Sequence, residues 1–407
     1  MTVRIGDISL ASPVILAPMA GVTNPPFRQL CREFGEAGAR AAGLDIADNG
    51  HTNGTESYAG LYVCEMITSR ALIEQNRETL TMIQPDPADP VRSIQLYGVE
   101  PTSIAAAVEI LVRDRWADHI DLNFGCPVPK VTRKGGGSAL PWKHNLFSRI
   151  VTGAVEAAHR ASRDSGRDFT VPVTAKFRIG IDDDHQTFRE VAQMSEDAGI
   201  SGLTLHARTT EQHYSGKARW EFISELKELT TLPVFGNGDV FGVDDAVSMI
   251  EMTGADGVSV GRGCQGRPWL FYDLVAASYG SSARYRPSLR EVANIIVRHG
   301  ELSVLHFNDE HRAMRELRKH VGWYLRGFAV GGQMRHQLGL IESVEQLREL
   351  LDTLDLDQAY PQAAEGPRGR AGSAKRPHLP EFWLDSHALS AEQEAKIHEA
   401  EVNVSGG

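Results

Sequence analysis

Short apolar runs recur along the first two thirds of the chain, each followed by a polar or glycine-rich break and a stretch with helical spacing. They fall at residues 13–18 (PVILAP), 61–67, 93–98, 119–125 (HIDLNFG), 171–178 (VPVTAKFR), 202–208 (GLTLHAR), 232–238 (LPVFGNG) and 257–263 (GVSVGRG). Segments such as PTSIAAAVEILVRD and TFREVAQMSEDAG separate them, with apolar residues three and four apart. Eight short strands buried on both faces and alternating with helices predict a (β/α)8 TIM barrel, an α/β fold. An open doubly wound sheet would carry a GxGxxG turn after its first strand, and none stands there.

Beyond residue 275 the pattern changes. Residues 283–356 show only helical periodicity and predict a small all-helical domain after a barrel spanning 1–275. Residues 357–407 are rich in Pro, Gly, Arg and Ala and read as a flexible acidic tail. Two insertions stand out. Residues 35–60, rich in Gly, Ala and Asn, read as a mobile loop on the barrel's bottom face. Residues 182–185 (DDDH) read as a solvated acidic loop at the mouth; consecutive carboxylates are poorly spaced for a metal, so no metal site is expected.

The polar residues closing the runs carry more information than the runs. Glu65, Gln95, Asn123, Lys176 with Arg178, His206, Asn237 and Arg262 each end a predicted strand. In a parallel barrel those ends converge on one mouth, where active sites of this architecture lie. A strand can end in a polar residue merely because a loop begins; seven such ends together predict one site built from many strands. GNGDV (236–240) and GVSVGRG (257–263) close strands seven and eight. Their small residues let backbone N–H groups approach an oxyanion, so a phosphate-bearing ligand is expected there. Lys176 is costly inside a barrel unless an anion pairs with it, and Schiff-base chemistry is its competing role.

Charge and cysteine usage narrow the class. The formal net charge of −11 argues against a nucleic-acid partner only on average. Residues 284–335 hold ten Lys/Arg against five Asp/Glu, whereas residues 336–407 hold six against thirteen. A basic helical face containing Arg312, Arg315, Arg318, Lys319 and Arg326 is therefore a candidate phosphate-binding surface, although any one of them suits a solvated helix equally well. No run of 18 apolar residues and no signal-peptide core occur, so no membrane association and a cytoplasmic location are expected. Cys31, Cys64, Cys126 and Cys264 form no CxxC pair, which argues against disulfides or structural zinc. Three of them read as buried small apolar groups. Cys126 differs, because it lies in a Gly-Cys-Pro turn just past strand four. A nucleophilic role would need a base; near neutrality a thiol of pKa ~8.5 is mostly protonated and can act as a general acid.

APMAGVTNPPFRQLCREFG, IQLYG, IDLNFGCPVPKVTRKGGGSAL, AKFRIG, LTLHARTTEQHYSG, VFGNGDV and VGRGCQGRPWLF occur in that order. Over about residues 4–350 the chain resembles the tRNA-dihydrouridine synthases, most closely the bacterial B-type members. The resemblance implies a barrel carrying FMN, fused to a helical RNA-binding domain and reducing a uridine in tRNA to 5,6-dihydrouridine with NADPH. It assigns Pro18, Met19, Ala20, Gln95 and Lys176 to the flavin. It assigns Asn237, Gly238, Asp239, Gly261 and Arg262 to the flavin end that includes the phosphate, and His206 to the flavin or uracil wall. Cys126 matches the proton donor, and Asn123, Arg178 and Arg208 are candidates for holding uracil and nearby RNA. The implied partners are tRNA and NAD(P)H, with no obligate protein partner.

On that footing, hydride from the flavin goes to carbon 6 of uracil and a proton from Cys126 to carbon 5, with the base drawn from its stack. The Arg133-Lys134-Gly run reads as a mobile mouth loop meeting the tRNA backbone rather than a flavin-phosphate cradle. Two rivals remain: a flavin barrel oxidoreductase acting on a free pyrimidine, and a tRNA-binding module with little catalysis.

Overall fold

The computed structural model describes residues 2–46, 54–369 and 371–402. Its principal sheet is a ring of parallel strands. The first strand, Val14–Leu16, pairs with the eighth, Gly257–Val260, which pairs in turn with Val234–Asn237, Leu203–His206, Val173–Arg178, His119–Phe124 and Ser93–Tyr97. The second strand closes the ring in two pieces. Leu61–Tyr62 pairs with the first strand, Ile67–Thr68 pairs with the third, and Val63 bridges to Ser93 between them. The predicted eight-stranded barrel is thus present, with strand two broken where Glu65 turns to accept the Gly21 amide at 2.6 Å. Among the described residues no helix is long and apolar enough to cross a membrane.

An N-terminal hairpin, Val3–Ile5 with Ile8–Leu10, plugs the bottom of the barrel. Its alternating apolar side chains pack on Ile15, Leu61, Val63 and Phe235, and residues Glu56–Ser57 extend the same small sheet. The expectation of a loop over residues 35–60 needs correction. Residues 35–41 complete the helix Pro25–Ala41, which Asn24 caps through its side-chain oxygen on the Phe27 amide (3.1 Å). The glycines there serve helix packing: a Cβ on Gly38 would lie 2.3 Å from the carbonyl oxygen of Tyr272, in the helix Leu270–Ser278. Residues 47–53 of that insertion lie outside the described residues.

Beyond the barrel, Leu289–Phe307, Glu310–Tyr324, Gly332–Leu338 and Val344–Asp352 are helices around a separate apolar cluster that includes Leu289, Ile296, Leu317, Val321, Leu347 and Leu351. The GRPW stretch joins them to the barrel. Gly266, at φ +60°, lets the barrel loop approach Trp323 so closely that a Cβ would sit 2.3 Å from its carbonyl carbon. Trp269 then enters the helical cluster beside Tyr324.

His320 lies at the same junction, ringed by Phe27, His299 and Trp323 at 4.8–5.5 Å between ring centroids. Neither ring nitrogen has a hydrogen-bond partner among the described residues, and burial holds its pKa well below the usual imidazole range. The folded protein keeps this ring neutral while the unfolded chain protonates it below about pH 6.5, so stability is lost as pH falls through that range, by about 1.4 kcal/mol between pH 7.5 and 5.5. His320→Phe should therefore raise stability at pH 7.5, since two unsatisfied polar atoms are removed. It should also shrink the loss between pH 7.5 and 5.5 by about 1.4 kcal/mol, read from urea denaturation at both pH values. An unchanged pH dependence would refute this account.

Residues 357–407 were expected to form a flexible tail; the described part packs instead. Arg368 and Trp383 are 3% and 1% exposed, and between them residues 371–376 are exposed, with the Lys375 amide bonded to the Glu211 carbonyl at 2.8 Å. Composition misleads there because scattered anchors (Arg368, Trp383 and the partly buried Leu379, Leu384 and Leu389), rather than an apolar periodicity, hold the segment down.

Candidate active site

Three neighbouring strands place polar residues at alternate positions, so these residues share the inner face of the barrel. They are Ser93 and Gln95 on the third strand, His119, Asp121 and Asn123 on the fourth, and Thr174, Lys176 and Arg178 on the fifth. Register sets Gln95 beside Asp121, Asp121 beside Thr174, and Asn123 beside Lys176. A hydrogen-bonded chain results. Ser93 Oγ meets His119 Nδ1 at 2.7 Å, His119 Nε2 meets Thr174 Oγ1 at 3.0 Å, and Thr174 Oγ1 donates to Asp121 at 2.7 Å. Gln95 Nε2 donates to the other Asp121 oxygen at 2.6 Å and Asn123 Nδ2 donates to Gln95 Oε1 at 2.8 Å. The chain ends at the mouth, where Asn123 Oδ1 accepts the amides of Gly125 (3.1 Å) and Cys126 (2.9 Å).

One assignment of protons satisfies every link. Thr174 has a single hydroxyl hydrogen and gives it to Asp121, so His119 must donate through Nε2 and accept from Ser93 at Nδ1. Burial holds His119 neutral, with its pKa pushed down to about 3.

Lys176 is the cation of this floor. Its Nζ donates to Asn237 Oδ1 at 2.9 Å, and Asn237 Nδ2 donates to the Ser259 carbonyl at 2.7 Å, tying strands five, seven and eight together. Burial lowers the lysine pKa to about 8 against the pull of Asp121. Burial likewise raises Asp121 to about 6, with Thr174, Gln95 and Lys176 opposing it. Lys176 and Asp121 feel each other's charge across the barrel floor, while Nζ itself bonds Asn237 and the carboxylate accepts from Thr174 and Gln95.

Cys126 is half-buried, whereas Cys31, Cys64 and Cys264 are buried. Burial raises the pKa of its thiol, opposed by a backbone hydrogen bond from Val128 and by the nearby Arg178 charge. The Arg133-Lys134-Gly stretch was expected to be a mobile loop, and it is built as a packed one. Ser138 N and Oγ both donate to the Cys126 carbonyl at 3.1 Å, and residues 136–142 are buried.

The two arginines considered for uracil and RNA are committed elsewhere. Arg178, 3% exposed, donates to the carbonyls of Gly125 (2.8 Å), Thr209 (3.0 Å) and His213 (2.8 Å). Arg208, 1% exposed, donates to Ser215 and Gly216 carbonyls and to both Asp239 oxygens (2.8 and 2.7 Å). Asn123 is similarly engaged with the turn it caps. All three act on the protein's own loops, and Asp239 holds arginines rather than meeting an anion: Arg262 also reaches it at 3.4 Å.

The expected flavin positions do gather. Lys176, Asn237, Gly238 and His206 are contiguous, since a Cβ on Gly238 would lie 3.3 Å from His206 Cδ2. Pro18 faces the same small cavity as Lys176 and Ser259. Met19 Sδ borders Gly261, while Ala20 is exposed at the rim. Gln95 joins them only through Asp121. His206 is held well below the usual imidazole range by burial and then by Arg178, Lys176, Arg208 and Arg262. Four cations therefore surround a neutral histidine, with Asp239 set against Arg208 and Arg262 and Asp121 against Lys176. Arg208 Nη1 is buried without a partner among the described residues, beside the Gly238 turn at φ +123°. That turn with an orphaned guanidinium nitrogen fits a phosphate group.

The helical basic face is less open than its sequence suggests. Arg312 pairs with Glu78, Lys319 with Glu316, Arg318 donates to the carbonyls of Ile341 and Leu340, and Arg326 to that of Pro367; Arg315 is exposed. Asp182 binds His185 at 2.6 Å and caps its own turn, and the described residues contain no metal-binding cluster.

The family model described as dihydrouridine synthase (Dus) matches residues 15–365. A probable tRNA-dihydrouridine synthase of Mycobacterium tuberculosis is 49% identical over 382 residues, covering 94% of this chain and 92% of the relative. tRNA-dihydrouridine synthase B of Pseudomonas aeruginosa is 36% identical over 346 residues, covering 84% and 92%. Among solved structures, histamine dehydrogenase from Rhizobium sp. 4-9 aligns over 74% of this chain and 50% of its own, with 13% identity and a TM-score of 0.46. With a family match that runs through every barrel strand and into the helical unit, the chain belongs to the dihydrouridine synthase family.

Proposed function

We propose that this protein reduces a uridine in tRNA to 5,6-dihydrouridine, using FMN with NADPH as reductant and Cys126 as proton donor. The observation that carries the reading is the polar chain from Asp121 through Gln95 and Asn123. It fixes the backbone of a half-buried thiol whose pKa burial raises, with the Arg178 charge nearby. FMN would be held at its phosphate end by the 237–239 turn, Arg262 and the unpartnered Arg208 Nη1, and along its ring by Lys176 and residues 18–20. When bound it supplies the hydride for carbon 6 of the base.

This chain's residues supply the remainder. Hydride at carbon 6 leaves enolate character over carbon 5 and its neighbouring carbonyl, and the Cys126 thiol gives its proton to carbon 5. The thiolate left behind is stabilised by the Val128 amide and the Arg178 charge, and water reprotonates it. Lys176, half-buried, contributes positive charge where negative charge develops. Arg178 holds the Gly125 carbonyl and thereby the turn, so it positions Cys126. The barrel and the helical unit are read as catalytic and tRNA-docking domains.

The test is reconstitution. Purified protein, FMN, NADPH and unmodified tRNA transcript should yield dihydrouridine, detected by mass spectrometry, with free uridine and uracil left unreduced. Arg208→Met should emerge from purification largely free of FMN and regain activity only at high added FMN. Reduction of the free pyrimidine at a rate equal to that on tRNA would replace this reading with the first rival.

A further inference from the structure

The family match ends at residue 365, yet the chain continues across the barrel mouth. Its described residues touch three loops of that mouth in turn, at Arg368 and Gly369, at Lys375, and from Trp383 to Ala388. Arg368 donates to the carbonyls of Ala364 (2.6 Å), Trp323 (2.8 Å) and Gln265 (3.1 Å). A Cβ on Gly369 would lie 3.0 Å from Arg262 Cδ, so the segment passes directly over the strand-eight loop. The Lys375 amide then bonds the Glu211 carbonyl at 2.8 Å, on the loop after strand six. Finally the segment reaches the loop that carries Cys126.

That last contact is the densest. Trp383 Nε1 donates to the Ala139 carbonyl at 2.9 Å, and its ring lies so close to Gly135 that a Cβ there would be 2.5 Å from Cη2. Lys143 Nζ fastens the next turn through the carbonyls of Ser386 (2.6 Å) and Ala388 (3.2 Å) and sits 4.9 Å from the Trp383 ring. The opposite side of the same stretch meets the cysteine. A Cβ on Gly137 would be 2.5 Å from the Cys126 carbonyl oxygen, which Ser138 also bonds twice. Residues 135–139 are therefore a thin layer with Cys126 on one side and Trp383 on the other.

We propose that Trp383 is a positioning residue: the C-terminal segment is a strap that presses this layer from behind and sets how far the Cys126 thiol stands into the mouth. Asn123 fixes the cysteine from the barrel side and Trp383 from the outside. Three glycines, Gly135, Gly136 and Gly137, leave the layer little stiffness of its own, so the strap supplies what the layer lacks. The proposal rests on Cys126 as proton donor for its catalytic consequence, but not for its structural one.

The test uses the full chain and two readouts. Cys31, Cys64 and Cys264 are buried, so alkylation of the native protein by iodoacetamide reports on Cys126. Trp383→Ala should speed that alkylation about tenfold and lower kcat by about 10- to 100-fold, with KM for tRNA changed less than about twofold. Trp383→Phe keeps the ring against Gly135 and should restore most of both. Should Trp383→Ala fail to fold, Gly135→Ala pushes the same contact from the other side and should raise alkylation likewise. Unchanged alkylation in a folded variant, or a loss confined to melting temperature, overturns the inference. If Cys126→Ala proves fully active while Trp383→Ala still raises alkylation, the donor role fails and the strap stands; the reverse pattern sinks the strap alone.

Discussion

Cys126→Ala is expected to lower dihydrouridine formation by about 100- to 10,000-fold, the range set by losing a positioned general acid. FMN retention and tRNA affinity should stay near wild type, because the thiol anchors neither: the turn is held through backbone groups and Asn123. Single-turnover reduction of tRNA, with the product counted by mass spectrometry, isolates the chemical step. Cys126→Ser should be nearly as slow, since a hydroxyl is a far weaker acid than a thiol. The pH profile separates donor from nucleophile. Burial raises the Cys126 pKa, so the thiol stays loaded through neutrality and its loss appears only on the alkaline side of the ordinary thiol range. A thiolate nucleophile would instead give a rate climbing steadily from pH 6 to 8. Such a climb, or normal turnover by the alanine variant, would remove Cys126 from the mechanism.

The barrel was legible because its cause is local. Each strand needs two buried faces, and runs such as VPVTAKF and GLTLHA show that requirement directly. The mouth was legible for a related reason, since strand ends converge whatever the loops do. What the strand ends did not reveal is who binds whom. Arg178 and Arg208 read as substrate contacts beside the family resemblance, but carbonyls of Gly125, Thr209 and His213 occupy Arg178, and those of Ser215 and Gly216 with Asp239 take all of Arg208 but Nη1. Asp121 went unnoticed even though the alternation His119, Asp121, Asn123 is written in one strand. Period-two counting of polar residues, matched against Thr174 and Lys176 on the next strand, would have found the network. Trp383 had no such signal. Its partner Gly135 lies roughly 250 residues earlier, and neither has a periodic context that would betray the contact.

The double substitution Asp121→Asn with Lys176→Met should make the cofactor-free protein more stable at pH 7 and leave it inactive. Lys176 titrates near 8 in the folded state, below its unfolded value, so its burial cost is fully present below pH 8 and is relieved as pH rises toward about 10.4. Asp121 titrates near 6, above its unfolded value, so its cost grows as pH rises from about 3.9 and is complete above 6. Between pH 6 and 8 both groups are charged and the pair is at its most expensive. Replacing a buried pair by neutral groups of similar size commonly gains about 1–4 kcal/mol. The network can absorb an amide in place of the Asp121 carboxylate, because Thr174 can accept from it and His119 can change tautomer toward Ser93. Gln95, Asn123 and the Cys126 turn above keep their bonds. Each single variant strands one charge and should be less stable than wild type by up to about 3–5 kcal/mol, unless the stranded group neutralises itself. Urea denaturation of the four proteins at pH 7 closes the cycle; a double variant less stable than both singles would refute the account. A stabler, inactive double variant would mean that the barrel carries these two buried charges at a standing cost to stability, because the reaction needs a positive charge at that point.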